Sequence, residues 1–143
     1  MFENIMSVER HSLLEQLVNT DLVRNFYLAG GTATALYLGH RWSEDLGFFT
    51  DCDFDPFRLV TELAKLEDFL LTGQEPGTVH CFINGVKLSF LHYPYPLLEK
   101  SQIYKGVRLA SLKDIALMKM VALIQRGHFL LRQKELTFKM LSK

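Results

Sequence analysis

Residues 26–50, FYLAGGTATALYLGHRWSEDLGFFT, constrain the fold more than any other part of the chain. A short apolar run, Phe26 to Ala29, meets a glycine pair. An Ala- and Leu-rich stretch of helical length follows, and a polar turn leads into a second apolar run carrying one carboxylate, Asp45. The pattern predicts strand, glycine turn, helix and strand. Gly30 and Gly31 have no Cβ, so the chain can turn sharply and bring backbone N–H groups close to a ligand, and the helix starting near Thr32 points its positive end the same way. An anion is the natural guest. Thr32 adds a hydroxyl donor or caps the helix. The same three residues also serve as a bare structural turn with no ligand.

At 143 residues the chain has the size of one domain, long enough to bury a core, and nearly half its residues are hydrophobic. Sixteen basic and sixteen acidic residues cancel, so nucleic-acid or membrane binding needs a local patch. Cys52 and Cys81 have neither CxxC spacing nor a zinc signature and read as free thiols in a reducing compartment. No run approaches the ~20 apolar residues of a membrane span, and MFENIMSVER lacks the layout of a signal peptide. The expectation is a cytoplasmic protein that makes no use of a membrane.

Leu13, Leu14, Leu17 and Val18 give residues 8–19 the apolar face of an amphipathic helix. In TDCDFDPFRLVTEL the alternate acids Asp51, Asp53 and Asp55 suggest a calcium loop, but Pro56 stands where that loop needs glycine. Asp55 as N-cap with Pro56 in the first turn explains the same residues, with a helix continuing through Phe57, Val60, Leu63 and Leu66. Phe69 to Leu71 and Val79 to Ile83 read as strands. Asn84-Gly85 predicts a hairpin with a return strand Val86 to Tyr93, on which Val86, Leu88, Phe90 and His92 share one face and Lys87, Ser89, Leu91 and Tyr93 the other. Lys87 either reaches a phosphate or guards a sheet edge. Tyr93-Pro94-Tyr95-Pro96 is an extended connector whose tyrosines either stack on a base or fill a groove. Ser111 with Asp114 reads as a helix cap, followed by an apolar helix Ile115 to Gln125 stopped at Gly127. Lys119 is a charge on that apolar helix, and its destination is a phosphate, an acidic partner or water.

Gly30-Gly31-Thr32, Leu36, Leu38-Gly39-His40-Arg41, Ser43 and Asp45-Leu46-x-Phe48-Phe49 together resemble the AbiEii/AbiGii-type nucleotidyltransferase toxins of abortive-infection systems, in the DNA polymerase beta-like superfamily. GVKLSFLHYPYPLL and SLKDIALMKMVALIQRG resemble later segments of that family, so the resemblance spans about residues 26–127. It implies an α+β, polymerase beta-like nucleotidyltransferase fold, with a small mixed sheet flanked by helices. It also implies metal-dependent transfer of NMP from an NTP to an RNA or protein acceptor, with Mg²⁺ or Mn²⁺ as cofactor and a cognate antitoxin protein as partner. By the same resemblance Asp45 is the metal ligand, Asp45, Lys87 and Lys119 are catalytic, and Gly30, Gly31, Thr32, Arg41 and Ser43 bind nucleotide. Asp114 also matches a recurring position.

The sequence departs from the family at one decisive place. Family members read Asp-x-Asp, placing two carboxylates on one face of a strand, and Gly47 stands here at the second position. Polymerase beta-like enzymes draw a third carboxylate from a neighbouring strand, and Val86 to Tyr93 contains no acid. Weakened transfer, or a catalytically inactive relative that binds nucleotide or a partner, are the two readings. The expected organisation is a nucleotidyltransferase-like domain over 1–127 and an atypical basic tail over 128–143. In that tail Arg132, Lys134, Lys139 and Lys143 stand against Glu135, a formal +3. The tail either touches RNA as a short basic helix or packs and frays.

Overall fold

The computed structural model describes residues 1–39 and 45–141, without the side chains of Phe129 and Phe138. After a short turn of helix at Glu3–Ile5, the elements are α1 (Val8–Asn19), β1 (Tyr27–Ala29), α2 (Gly30–Leu38), β2 (Asp45–Thr50), α3 (Pro56–Leu63), β3 (Phe69–Glu75), β4 (Thr78–Ile83), β5 (Val86–His92), β6 (Gln102–Tyr104), β7 (Val107–Leu109) and α4 (Leu112–Leu141). The seven strands form one mixed sheet in the order β3-β4-β5-β2-β1-β7-β6. β2 runs antiparallel to β1 and parallel to β5, and β1 runs parallel to β7.

The local rules read from the sequence operate as expected at several ends. Ser7 caps α1 by accepting from the Arg10 N–H at 3.3 Å. Asp55 caps α3, accepting from Phe57 N–H at 3.0 Å, with Pro56 in the first turn where its missing donor costs nothing. β4 and β5 pair antiparallel through Asn84 and Gly85, whose φ angles of 51° and 76° are those of a tight hairpin turn.

One face of the sheet makes the core. Leu28, Leu46, Phe48, Leu88 and Phe90 are fully buried there, in one cluster with Leu13, Leu14 and Leu17 of α1 and Leu59 and Leu63 of α3. Phe48 and Phe90 stack with centroids 5.2 Å apart, and Phe26 meets Phe90 edge-on at 5.3 Å. Strand alternation sends Asp45, Gly47 and Phe49 of β2, and Lys87, Ser89 and Leu91 of β5, to the opposite face.

One expectation is corrected. Gly127 does not end the last helix, because α4 continues unbroken to Leu141. A mid-helix glycine costs only about 1 kcal/mol relative to alanine, and the Leu, Arg, Gln, Lys and Glu residues around it are good helix formers. Residues 128–141 thus continue the same helix and expose Leu130, Leu131, Leu136, Met140 and Leu141. Residues 102–109 form the β6–β7 hairpin, turning at Lys105 and Gly106 with φ of 49° and 84°.

Candidate functional site

The glycine turn is built where β1 passes into α2. Gly30 has φ of 77°, which an L side chain adopts only under strain, and no atom lies within 4 Å of where its Cβ would stand. The position needs glycine for backbone shape and leaves open space beside it. The N-cap of α2 is Ala29, which has no side-chain acceptor to offer the helix start, and the N-terminus of a helix favours an anion. Thr32 is buried, and its hydroxyl donates to the backbone carbonyl of Asp45. Ala29 is in register with Gly47. This bond and this pairing hold the start of β2, and Asp45 with it, against the glycine turn. Thr32 therefore staples two elements, and its hydroxyl proton is committed to that bond instead of facing a guest.

A cavity of about 540 Å³ lies between the glycine turn, the second face of the sheet and α4. Gly30, Gly31 and Thr34 form one wall, Phe49, Leu91 and Tyr93 another, and Ile115, Met118, Lys119, Ala122 and Gln125 face it from one side of α4 at helical spacing. Lys119 thus shares one cavity with the paired glycines. The aromatic wall continues outward: Tyr27 stacks on Phe49 at 6.1 Å, Phe49 meets Tyr93 at 6.5 Å, and Tyr93 meets Tyr95 at 5.1 Å. Burial, then the neighbouring Tyr93 and the carboxylates of Asp51 and Asp114, push the Tyr27 hydroxyl up to about 12, so it stays protonated. A cavity of this size, with a cation and a helix N-terminus at one side and aromatic rings at the other, suits a phosphorylated aromatic molecule.

Asp45 does not line the cavity. It is exposed at the start of β2 beside the glycine turn, on the sheet face shared by Gly47 and Phe49. Lys87 is its register partner on β5. Asp51 and Asp53, the nearest acids in sequence, do not approach it. They follow the far end of β2, roughly 20 Å along the strand direction, where His92 Nδ1 lies 3.5 Å from Asp53 and His92 Nε2 lies 3.3 Å from the Asp51 carbonyl. Among the described residues no group of three His, Cys, Asp or Glu side chains could hold a metal ion. A two-metal centre needs bridging anionic ligands, and the donors among the described residues, Asp45 beside Gly47 and an acid-free β5, do not fit it.

Asp114 has a structural role. It is 2% exposed; its carboxylate accepts from the backbone N–H groups of Leu98 at 2.8 Å and Glu99 at 3.0 Å and from the Ser111 hydroxyl at 3.0 Å, while Ser111 Oγ accepts the Asp114 N–H at 3.0 Å. Burial alone would push this carboxyl up. The N–H groups of Leu98 and Glu99, the Ser111 hydroxyl and Lys113 outweigh it and hold the group below the usual carboxylate range. Arg41 and Ser43 lie outside the described residues. The structure therefore brings together Gly30, Gly31 and Lys119, sets Asp45 and Lys87 side by side on adjacent strands outside the cavity lining, and ties Thr32 into the scaffold. Sequence reading missed Thr34 and Gln125. Gln125 was legible in principle, since it falls on the helical face of Ile115, Met118 and Ala122.

A seven-stranded mixed sheet with a glycine turn at its centre and helices on its faces is a nucleotidyltransferase-like fold. The solved structure of TM1012 from Thermotoga maritima, a protein provisionally assigned as a nucleotidyltransferase, superposes with a TM-score of 0.60 over 89% of this chain and 93% of that one, at 12% identity. JHP933 from Helicobacter pylori overlaps less closely, with a TM-score of 0.45 and 20% identity over 76% of this chain and 56% of its own. In sequence, the chain is 41% identical over 123 residues to the uncharacterized protein aq_aa25 of Aquifex aeolicus (strain VF5), covering 83% of this chain and 60% of that relative's length. No protein-family model matches the sequence. No helix among the described residues is long and apolar enough to cross a membrane.

Proposed function

We propose that this chain binds a nucleoside triphosphate in the cavity between α2 and α4. In this reading it is a nucleotidyltransferase-like protein of the abortive-infection toxin type, whose transfer of NMP to an RNA or protein acceptor is slow. The observation that carries the reading is the convergence of Gly30, Gly31 and Lys119 on one cavity. The N-terminus of α2 and the Lys119 ammonium attract the phosphates, and the Phe49–Tyr93 wall receives the base. Lys87, in register with Asp45 on the same face of the sheet, would add a further cation. Nucleotidyltransferases as a class stabilise the charge that develops on the transferred group with divalent metal. The missing carboxylates remove several kcal/mol of that stabilisation, hence the slow rate. The same donor set favours a second reading, a catalytically inactive relative that keeps only the nucleotide or a protein partner such as an antitoxin.

Calorimetry with each of the four NTPs tests the first step, and micromolar binding by at least one of them is expected. No heat with any nucleotide removes the reading. Incubation with labelled NTP and total RNA then separates the enzyme, which labels RNA, from the inactive binder, which does not.

A further inference from the structure

On β4 and β5, His80 Nδ1 and Ser89 Oγ lie 2.8 Å apart, both side chains half-buried. They are register partners, and Ser89 is also the register partner of Gly47 on β2. The three residues form one row across adjacent strands, on the face that carries Asp45 and Lys87. Neighbouring strands are about 4.8 Å apart, so the Ser89 hydroxyl stands one strand from the position where the second carboxylate is missing. Space for the imidazole is made on β3. Gly73 pairs with His80 beside a bulge after Leu71, and a Cβ at 73 would come within 3.3 Å of the His80 ring. A side chain there would crowd the ring, whereas glycine leaves it beside the hydroxyl.

A hydroxyl within hydrogen-bond reach of an imidazole is the arrangement that activates a serine as a nucleophile. We propose that Ser89 is itself an acceptor of NMP, with His80 as its base; the proposal rests on the nucleotide-binding reading above. In this step Ser89 Oγ attacks the α-phosphorus of the bound triphosphate and forms a serine phosphodiester. The α–β bridging P–O bond breaks, pyrophosphate leaves, and the hydroxyl proton passes to His80. Lys87, two residues along β5 on the same face, and the α2 N-terminus offset the charge on the phosphoryl oxygens. The chain would thus carry its own acceptor beside a site that has lost carboxylates.

The test uses the full chain, each NTP in turn with Mg²⁺, intact-mass spectrometry and peptide mapping. The expected result is a mass increase of one NMP, mapped to Ser89. Label should be retained from α-labelled and lost from γ-labelled NTP, absent in Ser89→Ala, and formed on the order of 10² times more slowly in His80→Asn, with both variants melting as wild type does. An NTP that binds by calorimetry yet leaves no adduct overturns this proposal alone and reduces the His80–Ser89 bond to a structural contact. An adduct on another residue does the same, and mapping on the wild-type chain shows it even if a variant fails to fold. No binding by any NTP overturns the nucleotide reading and this proposal together.

Discussion

Replacing Asp114 with asparagine separates a structural carboxylate from a catalytic one. In the folded chain the carboxylate takes two backbone N–H groups, of Leu98 and Glu99, and one hydroxyl, of Ser111, at 2.8 to 3.0 Å in a nearly dry site. An amide offers one acceptor and turns an NH₂ toward the other donors, so at least one buried N–H is left unpaired and the charge assistance is lost from the rest. Hydrogen bonds to charged groups contribute about 1.5–3 kcal/mol each, and an unpaired buried donor costs about 1–3 kcal/mol. A net loss of about 3 kcal/mol is expected, which lowers the melting temperature by about 10 °C for a domain of this size. The pH dependence has a definite sign. The folded carboxyl is held below its ordinary value of 3.8, so its contribution is complete above that pH and is lost as pH falls through the lower folded value. The gap between wild type and Asp114→Asn should therefore be constant near neutrality and narrow in acid, followed by urea unfolding at several pH values. A variant that melts within 2 °C (roughly 0.5 kcal/mol) of wild type, or one that keeps its stability but loses NTP binding, refutes the structural role.

Four further outcomes follow from the site and the core. Lys119→Gln should weaken NTP binding by about 10- to 100-fold, the value of a charge-assisted contact of about 1.5–3 kcal/mol, with the melting temperature unchanged because the side chain is exposed; calorimetry reads the first and calorimetric melting the second. Gly30→Ala should cost about 1–2 kcal/mol through its φ of 77° alone, since the Cβ itself meets nothing. Gly47→Asp should fold, its Cβ sitting 3.4 Å from the Ala29 carbonyl and the Phe49 ring; Mn²⁺ should raise its melting temperature and leave that of wild type unmoved, and equal response of the two would sink the account of the donor set. Cys52 is exposed, whereas burial pushes the Cys81 thiol up to about 12, so native protein should take up one equivalent of iodoacetamide at pH 8 and two after unfolding.

Local chemistry was the legible part of the sequence. Asp55-Pro56 and Ser111 with Asp114 announced helix starts because a cap needs specific side chains at fixed offsets, and Asn84-Gly85 announced a hairpin because both positions favour positive φ. The β6–β7 hairpin went unread for the same reason turned around. Its strands have three residues each, and Lys105 occupies a positive-φ position that lysine does not advertise. Gly127 misled because a glycine ends a helix only when it turns left-handed, and its neighbours kept the helical path. The convergence of Lys119 on the glycine turn was visible only as two separate candidates, since it depends on α4 packing against α2, a contact between segments nearly ninety residues apart. The second role of Asp114, pinning the strap at Leu98 and Glu99, was hidden in the same way.

Under the proposed function the site would separate two tasks that a nucleotidyltransferase performs with one set of residues. Phosphate attraction would come from the α2 N-terminus and Lys119, which the turn at Gly30 and the face of α4 bring to one cavity. Metal retention would come from carboxylates spaced two apart on β2; by the family resemblance Gly47 stands at the second of those positions, with Ser89 beside it in register on β5. A region with fewer carboxylates presents less negative charge to a polyanion, so the cations near it act more strongly on the phosphates. Under the proposed function, affinity for a triphosphate and capacity for rapid transfer would therefore be uncoupled. The binding half should survive chelation of divalent ions: EDTA that abolishes the calorimetric signal would show that the phosphates are held through metal after all, and that the lysine and the helix end do not suffice.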